Sequence, residues 1–390
     1  MPVPRYCPNP ECPNHHAPRR RWRVRFGSYH TIAHGLVRRY RCNDCGKTMG
    51  DQTESLHYYA KRRLPLRKVA DDFCAGAPMR EIGRRRGYSP TAVQNALLRI
   101  GRQAMAAQVH MLSELHERKA VVFDGLRTFV TSQDYPCDIT TTVDREGETI
   151  LTMTHSIFRR GGRKTEKQSK RTREKYAIWR PKRGSMNRDM SLLVNELWDY
   201  LRPAGNQGAL IDTDENPLYK SAVAANRVTR HFSAVGLVQH RQTPSTMPRT
   251  TLNPLFPVNY VDRLLRHRVK ENMRETIAFG RHAVMQMHRA WIFAWDHNLR
   301  REHRVKAPER GVHAEQDSVS SEVILRLRGE YFSRRLRVKE LSVPTSIRRV
   351  WVGEIPTPPV RWKRERQKGS NVRIPKFARR DLPPAHQHSR

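Results

Sequence analysis

The sequence is short of cysteine, of acidic residues and of long apolar runs, and each shortage excludes a class of protein. Six cysteines in 390 residues cannot make a disulfide scaffold. A reducing, intracellular compartment is therefore expected, and paired cysteines read as metal ligands. No stretch of about 18 apolar residues occurs, so no membrane-spanning helix is expected. Met1 to Arg21 has no apolar core, so it does not read as a secretory signal. Acidic residues number 37 against 74 lysines and arginines, a net charge of +37. That imbalance is far outside what solubility needs and calls for a polyanionic partner, nucleic acid being the simplest. Apolar residues make up 37%, below the usual share of about 45–50%, so part of the chain should be loop or tail. The length suits about two or three domains.

What is present begins with the cysteines. Cys7 and Cys12 form a C-x4-C pair, and Cys42 and Cys45 a C-x2-C pair. Between them Trp22, Val24 and Phe26 alternate with arginines in a strand-like stretch, Arg21 to Tyr40. Two such knuckles would gather four thiolates around one structural Zn²⁺, with Gly46 turning the chain after the second pair. His15, His16, His30 and His34 are rival ligands. A ribbon this small, residues 1–55, would draw its folding free energy from the metal. Cys74 and Cys137 read as plain buried thiols.

Residues 60–118 read as helices. Leu64, Leu66, Val69, Ala70 and Phe73 recur at helical spacing, and Gly76-Ala77-Pro78 breaks the pattern. A short helix from Met79 to Arg86 stops at Gly87, and Ser89-Pro90 caps the next. Val93, Leu97 and Ile100 then face inward, in the order of a helix-turn-helix. Thr91, Gln94, Asn95 and Arg99 are the outward candidates for base and phosphate contact.

From Ala120 the period changes. Ala120 to Asp124 is a short buried strand ending in an acid, and two more strands follow, Asp138 to Asp144 and Thr149 to Phe158. Ser156 to Met190 holds 13 basic and 3 acidic residues with no apolar stripe. Within it, about 159–189 is expected to be a mobile basic insertion along a phosphate backbone. A helix at Met190 to Leu201, a strand at Ala209 to Asp214, a helix from Pro217, a strand from Val235 and a long helix from Val258 complete the order. Three strands, helix, strand, helix, strand, helix is the order of a ribonuclease-H-like α/β fold with a mixed sheet, expected over 119–305. Residues 306–390 read as a basic, proline-containing C-terminal extension, with a disordered tail from about 361.

These segments together resemble an insertion-sequence transposase of the DDE class, from about Tyr6 to about Arg301. Val122-Phe123-Asp124 with Phe129 is similar to the strand that delivers the first acid. Ile211-Asp212-Thr213-Asp214 with Tyr219 five residues on is similar to the second. Asn259-Tyr260-Val261-Asp262-Arg263, with Arg274-Glu275-Thr276 and Phe279-Gly280-Arg281, is similar to the third-acid helix. The sequence departs from the family in carrying Asp262 where Glu is usual and Met49 where an aromatic follows the second knuckle. The resemblance implies catalysis by Asp124, Asp214 and Asp262 with Mg²⁺ or Mn²⁺. It also implies double-stranded DNA partners (element ends and target), action as a homo-oligomer, and a prokaryotic, nucleoid-associated location in the cytoplasm.

Chemistry supports the same acids. Phosphodiester cleavage by two metal ions needs several converging carboxylates, which acids at strand ends and on a neighbouring helix provide. Asp212 shares a strand face with Asp214 by period two and is its rival. Val258, Val261, Leu265, Val269 and Met273 make one apolar stripe of the long helix, with Asp262 at its edge and Glu271 on the opposite, solvent-facing side.

Overall fold

The computed structural model of the chain describes residues 3–115, 119–201, 208–273, 278–359 and 374–383. After the first cysteine pair comes a single turn, α1 (Pro13–His16). The strands β1 (Arg23–Thr31), β2 (Gly35–Cys42) and β3 (Thr48–Gly50) then pair antiparallel in that order. Trp22, Tyr40 and Met49 pack with Cys7, Cys12 and Cys42 in a core of their own. Met49 thus fills the place where an aromatic was expected.

Three helices follow where the sequence predicts them: α2 (Leu66–Cys74), α3 (Met79–Arg86) and α4 (Pro90–Ser113). The Ser89 hydroxyl accepts the Ala92 amide at 3.2 Å, and Pro90 takes the first turn, where its missing N–H costs nothing. The chain continues with β4 (Ala120–Phe129), β5 (Pro136–Asp144), β6 (Ile150–Ile157), α5 (Glu166–Ile178), α6 (Ser185–Leu197) and β7 (Ala209–Asp214). Then come α7 (Pro217–Ala225), α8 (Arg227–Ala234), β8 (Val238–Thr243), α9 (Phe256–Arg268) and α10 (Ala283–Arg300). The last elements are α11 (His313–Gln316), α12 (Ser321–Glu330), α13 (Thr345–Trp351) and α14 (Lys376–Arg380).

The five main strands form one mixed sheet in the order β6-β5-β4-β7-β8. β4, β5 and β6 are antiparallel neighbours, whereas β7 and β8 run parallel to β4. One face is covered by α6 and α7 through Leu193, Val194, Tyr219 and Val223. The other face joins α9, α10 and α4 in a continuous core that also takes in α2, α12, α13 and α14. α10 is buried along nearly its whole length, including its polar residues Gln286, His288, Arg289, Asp296, His297 and Asn298. It crosses α4 where Gly101 lies against His288. A Cβ at Gly101 would come within 2.6 Å of the imidazole, so only glycine fits. Side-chain amides from these two helices cover the sheet's edge. Asn298 bonds both the N–H and the C=O of Ile150 (2.9 and 2.8 Å), and Gln108 donates to the carbonyls of Ile150 and Leu151. These bonds satisfy backbone groups at the start of β6, an edge strand that is buried along its whole length.

Four expectations change. The 60–118 helices and the main sheet are not separately cored, because α4 extends for 24 residues into the shared core. The basic insertion is not a mobile loop: it contains α5 and the start of α6. The helix from Val258 does not run through Met273 but stops at Arg268, with a 3-10 turn at Lys270–Asn272. Part of the presumed tail is packed, since Ala378 is buried and its carbonyl accepts the Trp351 indole N–H at 2.7 Å. Positions 361–373 and 384–390, and Glu275 of the third-acid motif, lie outside the described residues. No helix among the described residues is long and apolar enough to cross a membrane.

Candidate active site and metal centre

The four cysteine sulfurs meet as the spacing predicts. All four Sγ atoms lie within 4.8 Å of one another, Cys7 and Cys45 at 3.4 Å and Cys12 and Cys42 at 3.7 Å. None is in a disulfide. A tetrahedral ZnS₄ site with bonds of about 2.3 Å has S–S edges of about 3.8 Å, so the group could hold a metal ion such as zinc. The Asn14 amide lies 3.8 and 3.7 Å from the Cys12 and Cys42 sulfurs, as an outer partner. The rival His15 is engaged elsewhere: Nδ1 donates to the Cys7 carbonyl at 2.6 Å and Nε2 accepts from Arg337 at 2.6 Å. His16 pairs with Glu340 at 3.4 Å.

The candidate acids gather beside the β4–β7 junction. The parallel pairing runs from Ala120↔Leu210 to Val122↔Asp212, and Asp124 and Asp214 each follow two residues later. Asp124 therefore lies within β4, not at its end, because β4 continues against β5 to Phe129. Asp214 is the last residue of β7 and accepts the Asn216 amide at 2.8 Å. Asp212 is fully buried and spoken for, at 2.6 and 3.0 Å from Arg241 and 3.5 Å from Arg145. α9 packs on β4 and β5 and carries Asp262, whose Oδ1 is buried with no hydrogen-bond partner among the described residues.

These carboxylates feel one another. Burial pushes the Asp124 carboxyl up to about 6, with the Asp214 and Asp138 charges adding to the effect. Burial, and then the charge of Asp124, also push Asp262 well above the ordinary carboxylate range. The Tyr219 hydroxyl stands among them, 3.4 Å from Asp124 Oδ1. Burial and then the charges of Asp138, Asp124, Asp214 and Asp262 raise its pKa, keeping it a proton donor. Among the described residues these acids do not bring three donor atoms within 4.8 Å of one another. They are close enough for their charges to repel.

Asp138 is the acid that sequence reasoning missed. It is 2% exposed on β5, accepts the Thr140 hydroxyl at 2.8 Å, and lies opposite Arg127 on β4. A Cβ on Gly125 would fall 2.5 Å from both Asp138 oxygens and 2.7 Å from the Tyr219 hydroxyl. Glycine at 125 thus lets the tyrosine and the carboxylate approach β4. The absence of a side chain one residue after Asp124 was the only signal in the sequence.

Glu271 is not solvent-facing as expected. Because α9 stops early, the turn carries this residue inward to a buried ion pair with Arg289. Of the outward candidates on α4, Thr91 and Asn95 are exposed and Gln94 is half-buried. Arg99 turns in instead, donating to the carbonyls of Leu56 and Tyr58 at 2.8 Å each. Burial and the nearby Arg335 lower its pKa to about 10. No protein-family model matches the chain, and no curated protein matches it.

Proposed function

We propose that the chain is a DNA transposase whose main sheet and flanking helices form a ribonuclease-H-like catalytic domain. The observation that carries this reading is the meeting of Asp124, Asp214 and Asp262 around Tyr219, in a β6-β5-β4-β7-β8 sheet. The net charge of +37 supports a polyanionic substrate. In this reading the cysteine cluster holds structural zinc. The ribbon and the α2–α4 helix-turn-helix bind the element's terminal repeats through Thr91, Gln94 and Asn95. Mg²⁺ or Mn²⁺ bound at the acids would supply Lewis-acid activation of the attacking oxygen and neutralise charge on the leaving one. Asp124, Asp214 and Asp262 offer hard oxygen ligands, and Asp138 adds negative charge beside them. Tyr219 holds Asp124 in place by donating to it. Water attack would free a 3′-OH at the element end, and that hydroxyl would then attack target DNA.

A labelled element end, taken from the DNA flanking the coding region, tests the reading. With Mg²⁺ or Mn²⁺, wild type should nick it. Asp124→Ala, Asp214→Ala and Asp262→Ala should bind but not cut. A second reading, a DNA-binding regulator without catalysis, draws on the shorter Asp at position 262 and on the donor atoms that stay apart. Tight end binding by wild type with no cleavage under either metal would favour it.

A further inference from the structure

Far along the chain from the cysteine cluster, three buried side chains meet without a role in the reading above. Glu148 lies in the β5–β6 turn, His303 follows α10, and His313 begins α11. They are 2%, 6% and 1% exposed, and one donor atom from each lies within 4.8 Å of the other two. The backbone holds the two histidines together. Glu302 bridges Val312 antiparallel, and the His303 amide donates to the Gly311 carbonyl at 2.9 Å. Glu148 is held on the other side at a φ of +56°, a conformation uncommon for glutamate.

We propose that Glu148, His303 and His313 form a second metal site, for Zn²⁺ or a similar borderline divalent cation. Two imidazoles and one carboxylate are a donor set that zinc accepts, with water in the fourth place. The strongest sign is His303, a buried ring with neither nitrogen hydrogen-bonded among the described residues. A buried polar group without a partner is costly, and a metal bond would satisfy it. His303 Nε2 is 3.9 Å from Glu148 Oε2. Tetrahedral bonds of about 2.0–2.1 Å need edges of about 3.3–3.4 Å, so this edge must close by about half an ångström.

The surroundings resemble an outer shell. The His313 Nδ1 donates to the Gly147 carbonyl at 2.9 Å, which leaves the lone pair on Nε2. His297 stacks on His313 at 3.9 Å between ring centroids, and its Nε2 donates to the Glu148 carbonyl at 2.8 Å. One cation competes. Arg304 grips both Glu148 oxygens at 2.9 Å, yet its side chain is 44% exposed and can swing into water. Metal entry therefore exchanges Arg304 for the ion, and the ion clamps the β5–β6 turn to the chain that follows α10.

Metal analysis of the full chain, equilibrated with Zn²⁺ and then desalted, tests this. Wild type should hold two equivalents, and His303→Gln one. Co²⁺ substitution keeps that result interpretable: the near-ultraviolet thiolate band of the cysteine site should be unchanged in His303→Gln, showing that the variant is folded. Arg304→Ala should bind the second equivalent severalfold tighter, because it frees Glu148. A purely structural ion-pair knot predicts the opposite signature: one equivalent in wild type, and an Arg304→Ala that only melts lower. One equivalent in wild type, or two persisting in His303→Gln, overturns the proposal.

Discussion

At Asp124, burial and neighbouring carboxylates favour the proton and hold the carboxyl at about 6. An unfolded aspartate titrates near about 3.9. Between those values the folded state binds more protons at this group than the unfolded one, so its contribution to stability is full below about pH 4 and is lost as pH rises through about 6. Asp124→Asn should therefore melt higher than wild type at pH 8, with the difference gone at pH 4. Mg²⁺ should raise the wild-type melting temperature at pH 8 more than that of the variant. A variant that melts lower at pH 8 would refute the clash. Glu271 has the opposite character. Its partner Arg289 is 9% exposed, so Glu271→Ala strands a buried cation and should cost about 3–5 kcal/mol by denaturant unfolding. Read as a solvent-facing helix residue, the same change would be nearly silent. Replacing Arg99, which satisfies two backbone carbonyls, should likewise lower stability rather than alter sequence preference.

Among the elements, α5 shows why hydrophobic periodicity can miss a helix. Its only buried residue is Thr172, so it has no apolar stripe to read. A reciprocal capping box of Thr165 and Gln168 starts it, a local signal that the expectation of a mobile insertion passed over. What docks it is charge. Asp134 is fully buried and pairs with Arg160 at 3.0 Å, Arg171 at 3.1 Å and Lys175 at 2.8 Å. Burial alone would raise that carboxyl, but Lys175, Thr172, Ser132 and Arg160 hold it below the usual range. Such a long-range ionic anchor has no local pattern. Asp134→Ala should release α5, seen as faster tryptic cleavage between Arg159 and Arg183 while the rest of the chain resists. Unchanged cleavage there would mean that the Tyr135, Tyr176 and Trp179 ring contacts suffice. By contrast α2, α3, α4 and β7 were readable, since apolar spacing and caps act within a few residues. The turn that brings Glu271 inward was not readable, because packing against α10 decides it.

For the whole molecule, the sequence suggests a chain of separable modules, whereas in the structure the α2–α4 helices, one face of the main sheet and the C-terminal helices share one core. The second half of α4 buries Ala104, Met105, Val109 and Met111 in the core it shares with α10 and the sheet. The C-terminal extension then binds the N-terminal region. Arg337 donates to the His15 carbonyl at 3.0 Å, Arg335 donates to the carbonyls of Glu54 and Thr53, and Tyr331 donates to the Ile100 carbonyl. These contacts join residues more than 200 positions apart, which no local pattern specifies. A fragment of residues 1–118 would lose all of them and expose the apolar half of α4. It should keep the cysteine-anchored ribbon, whose core is its own, but its three helices should lack a cooperative melt, and it should associate through the bared face of α4. The full chain should unfold its helices and main sheet in a single transition. Circular dichroism melts and sedimentation of both proteins, with Zn²⁺ present, decide the matter. A monomeric fragment melting as sharply as the full chain would show that the α2–α4 unit stands alone, and that the shared core adds contacts without holding the helices together.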